Sequence, residues 1–336
     1  MYSRLMLCLI YLIPLPLLIA SLFVGPADTV SSAQIWAWLT APWFSPAPSA
    51  VSDSDLVRTI LLDVRLPRIL LAFLVGAALS ASGNALQALF RNPLVDPYLL
   101  GLSSGAAFGA ALALAGSWLP IQLSAFSFGG VAVGMSYFLA RTRKSVTVLS
   151  LILSGIIVSG IFTSLLTIVQ FLTDPFRLQT IVHWTMGNLH NASWARLRSA
   201  TPGIAAGVGW LVLFRWRMNV LALGDEETRV VGLNPERQKL SILIPATLAA
   251  SASVAVAGVI GLVGLVVPHM IRMLIGPDNT RSLPASIALG GSFLLLVDDC
   301  SRAAASFEIP ISIFTTLIGG PFFIFLLRRS RLGWEV

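Results

Sequence analysis

The sequence predicts an all-α, polytopic membrane protein of about ten transmembrane helices, and three observations carry that reading. Hydrophobic residues make up 56% of the 336 positions and charged residues only 11%, where soluble globular domains carry about 25% charged residues. Mean hydropathy is +0.84. Apolar runs of spanning length, roughly 17–25 residues, recur down almost the whole chain, which leaves no room for a sizeable soluble domain. Residues 1–336 are therefore read as one membrane domain.

Taken in order, the expected spans fall near 5–24, 66–90, 97–116, 120–140, 146–172, 197–214, 240–257, 259–275, 283–301 and 310–327. Arg4 precedes the first run as in a signal peptide, but "SLFVGPADT" offers no clean small-x-small cleavage site, so the run counts as a span. Residues 25–64 form a loop rich in Ser and Pro whose Trp36, Trp38 and Trp43 suit interfacial anchoring. Between spans two and three, "RNPLVDP" makes a turn, because Pro93 and Pro97 lack an N–H and restrict the residue before them. Span three then opens with Gly101, Ser104, Gly105 and Gly109 among alanines. Small side chains let helices approach closely in lipid, so span three is expected to be buried by packing, to border a pathway, or both.

Residues 173–196 start with a helix-entry signal and read as a short surface helix. His183 and His190, seven apart, would share one of its faces. Both readings stay open there: polar histidines at an interface, or contact with a cargo. Cys8 and Cys300 sit in apolar runs and read as small buried hydrophobes, without disulfide or metal spacing.

Lysine and arginine set the orientation. With the N-terminus inside, 15 of the 22 fall on the inner side (Lys144 and Lys239 among them) and 7 outside (Arg58, Arg65, Arg68, Arg177, Arg196, Arg198 and Arg302). Acidic residues divide 7 to 8 and discriminate nothing. Both termini are thus expected in the cytoplasm. The net charge of +7 follows from these loops and gives no reason to expect nucleic acid.

The longest polar inner segment, 215–239, is expected to form two short helices lying along the membrane as a docking platform. Asp225, Glu226 and Glu227 suit the positive end of a helix that Gly232 terminates, and Asn234 and Pro235 cap and start the next. His269, three residues before Arg272, has no metal-ligand spacing and reads as structural hydrogen bonding. Asp298 and Arg302 can pair at i, i+4, which leaves Asp299 without an obvious partner.

Neither lysine, Lys144 nor Lys239, follows a glycine, so no phosphate-binding loop exists, and no nucleophile elbow, zinc helix or dinucleotide fingerprint appears. The chain is expected not to be an enzyme and to hold no cofactor or metal. A transporter of this kind takes its energy either from an ion gradient or from a separate ATPase. Intramembrane ionisable groups are few, which favours a partner ATPase docked on 215–239 over a gradient-driven transporter acting alone, and the Gly/Ser ladders without a soluble interaction domain disfavour a membrane scaffold.

The stretch "RLPRILLAFLVGAALSASGNALQALFRNPLVDPYLLGLSSGAAFGA" resembles the iron-chelate, haem and cobalamin permeases of bacterial ABC importers. So do "LILSGIIVSG", "WTMGNL", "LGDEETRVVG", "GVIGLVGLVVPHMIRMLIGPDN" and "EIPISIFTTLIGGPFFIFLLRR", together spanning roughly 60–330. The resemblance implies a homodimeric permease of the inner membrane with a pathway between subunits, two ATPase subunits holding ATP and Mg, and a soluble substrate-binding protein. It implies inverted repeats over helices two to five and seven to ten, with "RNPLVDP" and "PHMIRMLIGPDN" as counterpart turns. By position it makes about 218–238 the coupling segment, carried by Asp225, Glu226, Glu227, Thr228, Arg229 and Gly232. Thr228 and Val231 stand where the family usually has alanine and leucine, and Asp299–Cys300 where it has threonine–leucine. It gives Arg65, Arg68 and Arg302 to binding-protein docking. Siderophore, haem and cobalamin importers share these motifs, so the cargo is not separated.

Overall fold

The computed structural model describes residues 2–25, 30–40, 51–117, 119–141, 146–304 and 307–330. Trp43, Arg143, Lys144 and Arg331, used above for anchoring and orientation, lie outside the described residues. Among the described residues sixteen α-helices follow one another: α1 Tyr2–Leu12, α2 Pro14–Ser21, α3 Ser32–Thr40, α4 Val51–Thr59, α5 Leu66–Phe90, α6 Leu102–Gly116, α7 Ile121–Ala140, α8 Val148–Leu172, α9 Pro175–Thr185, α10 Trp194–Leu213, α11 Arg215–Leu223, α12 Asp225–Val230, α13 Pro235–Ala257, α14 Val263–Ile275, α15 Asn279–Ala303 and α16 Ile311–Ser330. A π-helical stretch, Ile60–Arg65, joins α4 to α5, and a 3₁₀ turn, Pro97–Leu100, precedes α6. No strand occurs among the described residues.

Every expected span coincides with helix, but not every helix is long enough to cross a bilayer alone. Among the described residues five meet the length and apolarity required, or six if the bent pair α10–α11 is one span, while Leu5–Ser21, Leu102–Gly116, Val263–Ile275 and Ile311–Phe322 are shorter apolar helices. At 1.5 Å per residue the 15 residues of α6 reach only about 22 Å. The shortness of α6 and α14 has a cause: each starts after an interior break.

The centre of the bundle is α5, not span three. Its apolar stretch is 83% buried, against 22% for α8, whose Leu153, Ile156, Ile157 and Phe171 stay exposed. The reason is the run "VGAALSASGN", which removes side-chain bulk where backbones must meet. A Cβ on Gly76 would collide with the Gly290 carbonyl oxygen of α15, and one on Gly83 with that of Gly264 in α14. Gly105 and Gly109 do the same for α6 on α7, where a Cβ would lie 2.5 Å from the carbonyls of Phe128 and Ser124. Those two glycines therefore serve packing. Gly101 takes a left-handed φ of 82° at the start of α6, and Ser104 is half-buried.

α13 contains Pro245, which cannot donate to the carbonyl of Ser241 one turn earlier. The indole Nε1–H of Trp210 in α10 donates to that oxygen at 2.9 Å instead. The rung that Pro245 leaves open is thereby filled from the next helix.

The two halves repeat one pattern. Helices of 25, 15, 20 and 25 residues (α5–α8) are matched by 23, 13, 25 and 20 (α13–α16). In each, a left-handed break separates the first helix from the second: Arg91 and Gly101 in one half, Gly258 and Leu262 in the other. The expected counterpart of "RNPLVDP" is corrected by this order. It is the break at 258–262, because "PHMIRMLIGPDN" lies within α14 and the turn after it.

Candidate functional site

The polar segment 215–239 folds around two glycines. Gly224, at φ 148°, ends α11, and a Cβ there would collide with the Glu227 carboxylate. α12 begins at once with Asp225, Glu226 and Glu227 against its free N–H groups. It ends in a Schellman arrangement: Leu233 N–H donates to Thr228 O at 3.0 Å, Gly232 N–H to Arg229 O at 2.9 Å, and Gly232 takes φ 82°. The Asn234 side chain then accepts from Arg237 N–H, with Pro235 in the first turn of α13. Of the two short helices expected here, the one that Gly232 ends is present as α12 and the one expected to begin at Asn234 is corrected. Asn234 starts the 23-residue α13, since no break intervenes, and the second short helix is α11.

Glu226, Glu227, Arg229, Val230, Val231 and Gly232 face outward, Val230 at 88% exposure, so two apolar side chains stand bare at the tip. Thr228 does not: it is fully buried and its hydroxyl donates to Gly224 O at 2.6 Å. Of the two departures in this motif, only Val231 lies on an exposed surface. Lys239, singled out earlier only for its charge, binds the segment to its surroundings. Its ammonium reaches Asp225 at 2.6 Å, Glu236 at 3.2 Å and the Val146 carbonyl at 3.1 Å, joining α12, α13 and the α7–α8 connection.

The two interior breaks meet. The Tyr98 hydroxyl donates to Ile260 O at 2.9 Å, and Ile260 N–H returns a bond to that hydroxyl oxygen at 3.3 Å. Gln87 of α5 donates from Nε2 to the carbonyls of Val95, Gly264 and Leu265 at 3.2–3.3 Å. Leu262 holds φ 67°, a left-handed backbone that bulky side chains rarely adopt. It is seated against α16, where a Cβ on Gly319 would lie 2.7 Å from its Cδ1. The carbonyls of Val95 and Ile260, outside the helices, and of Gly264 and Leu265, in the first turn of α14, are thus satisfied by two side chains, a hydroxyphenyl and an amide.

At the opposite end of α5, six charges neutralise one another. Arg68 is bonded to Asp298 at 2.9 Å and to Glu308 at 2.7 Å. Arg302 pairs with Asp298 at 3.2 Å and with Asp299. Asp299 also accepts from the Ser21 hydroxyl at 2.5 Å, so the carboxylate that spacing left unpartnered has two partners. Arg65 and Arg302 donate to the carbonyls of Leu22 and Val24 at 2.6 and 2.7 Å. Arg65, Arg68 and Arg302 are all buried, their guanidinium groups turned into the chain. Docking through them would require releasing them from these partners.

The histidines are brought together by a different route from the one expected. α9 stops at Thr185, because Gly187 turns left-handed at φ 68°, so His190 lies beyond the helix. The chain folds back and the His183 and His190 rings still meet edge to face, centroids 5.2 Å apart. His269 makes no structural hydrogen bond at Nδ1, which is buried without a partner. Cys8 and Cys300 are exposed, not buried, because their helix faces point away from the bundle. No group of three or more metal-ligating residues occurs among the described residues.

The described residues thus form an all-helical bundle with several helices long and apolar enough to cross a membrane and a polar platform at one end, an architecture suited to a transport permease. The chain belongs to the FecCD transport family, which matches residues 10–329. It is 39% identical over 272 residues to the probable iron chelatin transport system permease protein of Helicobacter pylori, covering 81% of this chain and 83% of the relative. It is 37% identical over 312 residues to the cobalamin import system permease protein BtuC of Halobacterium salinarum, covering 90% and 82%. A solved structure described as an inward-facing conformation of a metal-chelate type ABC transporter superposes with a TM-score of 0.84 at 32% identity, covering 97% of this chain and 99% of that one. The protein is therefore an ABC permease, a membrane subunit of a multi-subunit transporter in which ATP hydrolysis belongs to a partner ATPase.

Proposed function

We propose that the chain, as one permease domain over 1–336, imports an iron-siderophore, haem or cobalamin-type chelate delivered by a soluble binding protein. In this reading it pairs with a second copy of itself in the bacterial inner membrane, with both termini cytoplasmic and the two repeats running oppositely across the bilayer. ATP and Mg sit in the partner ATPase and this chain carries no cofactor. The observation that supports it best is the α12 platform, a helix held out by Gly224 and Gly232 with Val230 and Val231 bare at its tip. Such a surface suits a protein groove and has no role in a transporter that works alone. Asp225, Glu226, Glu227, Arg229 and Gly232 form the coupling segment, with Thr228 its internal brace.

The test is co-expression with the ATPase and binding protein, reconstitution, and uptake of a panel of ferric siderophores, haem and cobalamin. Vanadate-sensitive uptake is expected. Uptake that persists without the ATPase and collapses with an ionophore would instead establish a gradient-driven transporter.

A further inference from the structure

A row of buried amides runs between the platform and the interior break. Asn219 lies on α11, the helix that abuts α12 through the bond from Thr228 to Val220 O at 3.4 Å. Its Oδ1 accepts from both the backbone N–H and the Nδ2 of Asn279, at 2.8 and 2.9 Å, and its Nδ2 donates to Asp278 at 2.8 Å. Asn279 in turn accepts from Nδ2 of Asn84 at 3.0 Å, deep within α5. Ser282 donates to Asn84 Oδ1 at 3.2 Å. From there Arg272 donates to Asn84 O at 2.9 Å and to the Gln87 side-chain oxygen, and Gln87 holds Val95, Gly264 and Leu265. Asn84, Gln87, Asn279 and Ser282 are buried.

Helix association alone does not account for this chain of bonds. α5 already meets α14 and α15 backbone to backbone at Gly83–Gly264 and Gly76–Gly290. The bonds instead run from α11, beside the platform, to the carbonyls of Val95 in the 91–101 break and of Gly264 and Leu265 in the first turn of α14, directly after the break at 258–262. Each link is a neutral amide or a single guanidinium, so a shift of α11 at Asn219 must move Asn279 and Asn84 or leave a buried amide bare. We propose that Asn219, Asn279, Asn84, Arg272 and Gln87 are positioning residues forming a mechanical relay, through which movement of the ATPase-coupled platform reaches the break at 258–262. The proposal rests on the importer reading above.

Gly261 offers a reporter, since a Cβ there meets nothing within 4 Å. The experiment uses Gly261→Cys in a chain carrying Cys8→Ser and Cys300→Ser, in complex with its ATPase in nanodiscs. Maleimide labelling rates are compared without nucleotide and after trapping with ATP and vanadate. With the relay intact the two rates should differ about fivefold or more, and Asn219→Ala should bring them within about twofold of each other. The amount of trapped nucleotide should stay unchanged. Asn84→Leu is the second variant, cutting the relay at its buried end. A merely structural role would alter melting temperature without abolishing nucleotide dependence. If both variants keep the fivefold difference, the relay is wrong. If the reporter chain with its relay intact ignores nucleotide, the relay is also wrong, and co-elution of the ATPase shows whether the importer reading survives.

Discussion

The two ends of α5, about 37 Å apart, are joined to their neighbours by different chemistry. At the Arg68 end three guanidinium groups and three carboxylates are enclosed together, linking α2, α5, α15 and the segment before α16. At the Arg91 end the links are mostly neutral amides, Asn84, Gln87, Asn219 and Asn279, with one guanidinium, Arg272, donating to Asn84 and Gln87. A buried ion cluster loses several kcal/mol if one partner leaves, so it holds one arrangement. A neutral amide costs less to strand, about 1–3 kcal/mol, so the helices it links are held less firmly and shift together at lower cost. The charged end is a fixed anchor, and the amide end is where the fold permits movement.

The largest test of that contrast is Arg68→Met. It leaves Asp298 and Glu308 without their shared partner and is expected to cost about 3–5 kcal/mol, read as loss of monodisperse protein on heating in detergent. Adding Asp298→Leu and Glu308→Gln should recover part of the loss. If Arg68→Met melts like the parent chain, the anchor is not electrostatic and the contrast fails.

Asn84→Leu, at the other end, is expected to cost only about 1–3 kcal/mol by the same assay. A loss equal to that of Arg68→Met would make the two ends equivalent. Gly232→Val comes next. Nothing lies within 4 Å of a Cβ there, so the penalty comes from its left-handed backbone alone, about 1–2 kcal/mol. ATP-driven uptake should fall while the amount of permease in the membrane stays the same, and uptake at the parent rate would remove α12 from coupling.

The smallest effect concerns pH. Burial acts to raise Asp278, but hydrogen bonds from Asn219 and Thr280, together with Arg281, hold its carboxyl below the usual carboxylate value. A depressed folded value means stability that is present above the unfolded value, about 3.9, and is lost as pH falls through the folded one. The side chain is 44% exposed, so solvent screening keeps the contribution under about 1 kcal/mol. Melting temperature against pH should therefore fall slightly less steeply below pH ~4 in Asp278→Asn than in the parent. Identical acid limbs would take Asp278 out of the amide end's electrostatics.

What could be read in the sequence depended on how local its cause was. Hydropathy marks the spans because lipid imposes it residue by residue. Gly232, Asn234, Pro235 and the helix-entry signal at the start of 173–196, which the structure resolves as an Asp174 cap, were legible because turn and cap chemistry acts within a few positions. Asp298–Arg302 followed from helical spacing, but Arg68–Asp298, 230 positions apart, could not. The three arginines were correctly placed at one end of the bundle, yet only their distant carboxylates determine that they turn inward. Asn84 and Gln87 were a signal in plain view, two amides three apart inside an apolar run. Their partners Asn219 and Asn279 come from far along the chain, and no periodicity announces them. The break at 258–262 read as the ordinary start of a span because its glycines carry no mark of depth.

The indole of Trp210 fills the hydrogen bond that Pro245 leaves open in α13. It acts as a splint between two members. α13 cannot slide lengthwise against α10 by even one turn without breaking that bond and leaving the Ser241 oxygen in need of another donor. α10 ends at the bend into α11, and α13 begins at Pro235, just after the Gly232 turn that closes α12. If the platform moves, that bond ties the displacement of one helix to the other and favours a common tilt over a lengthwise slide.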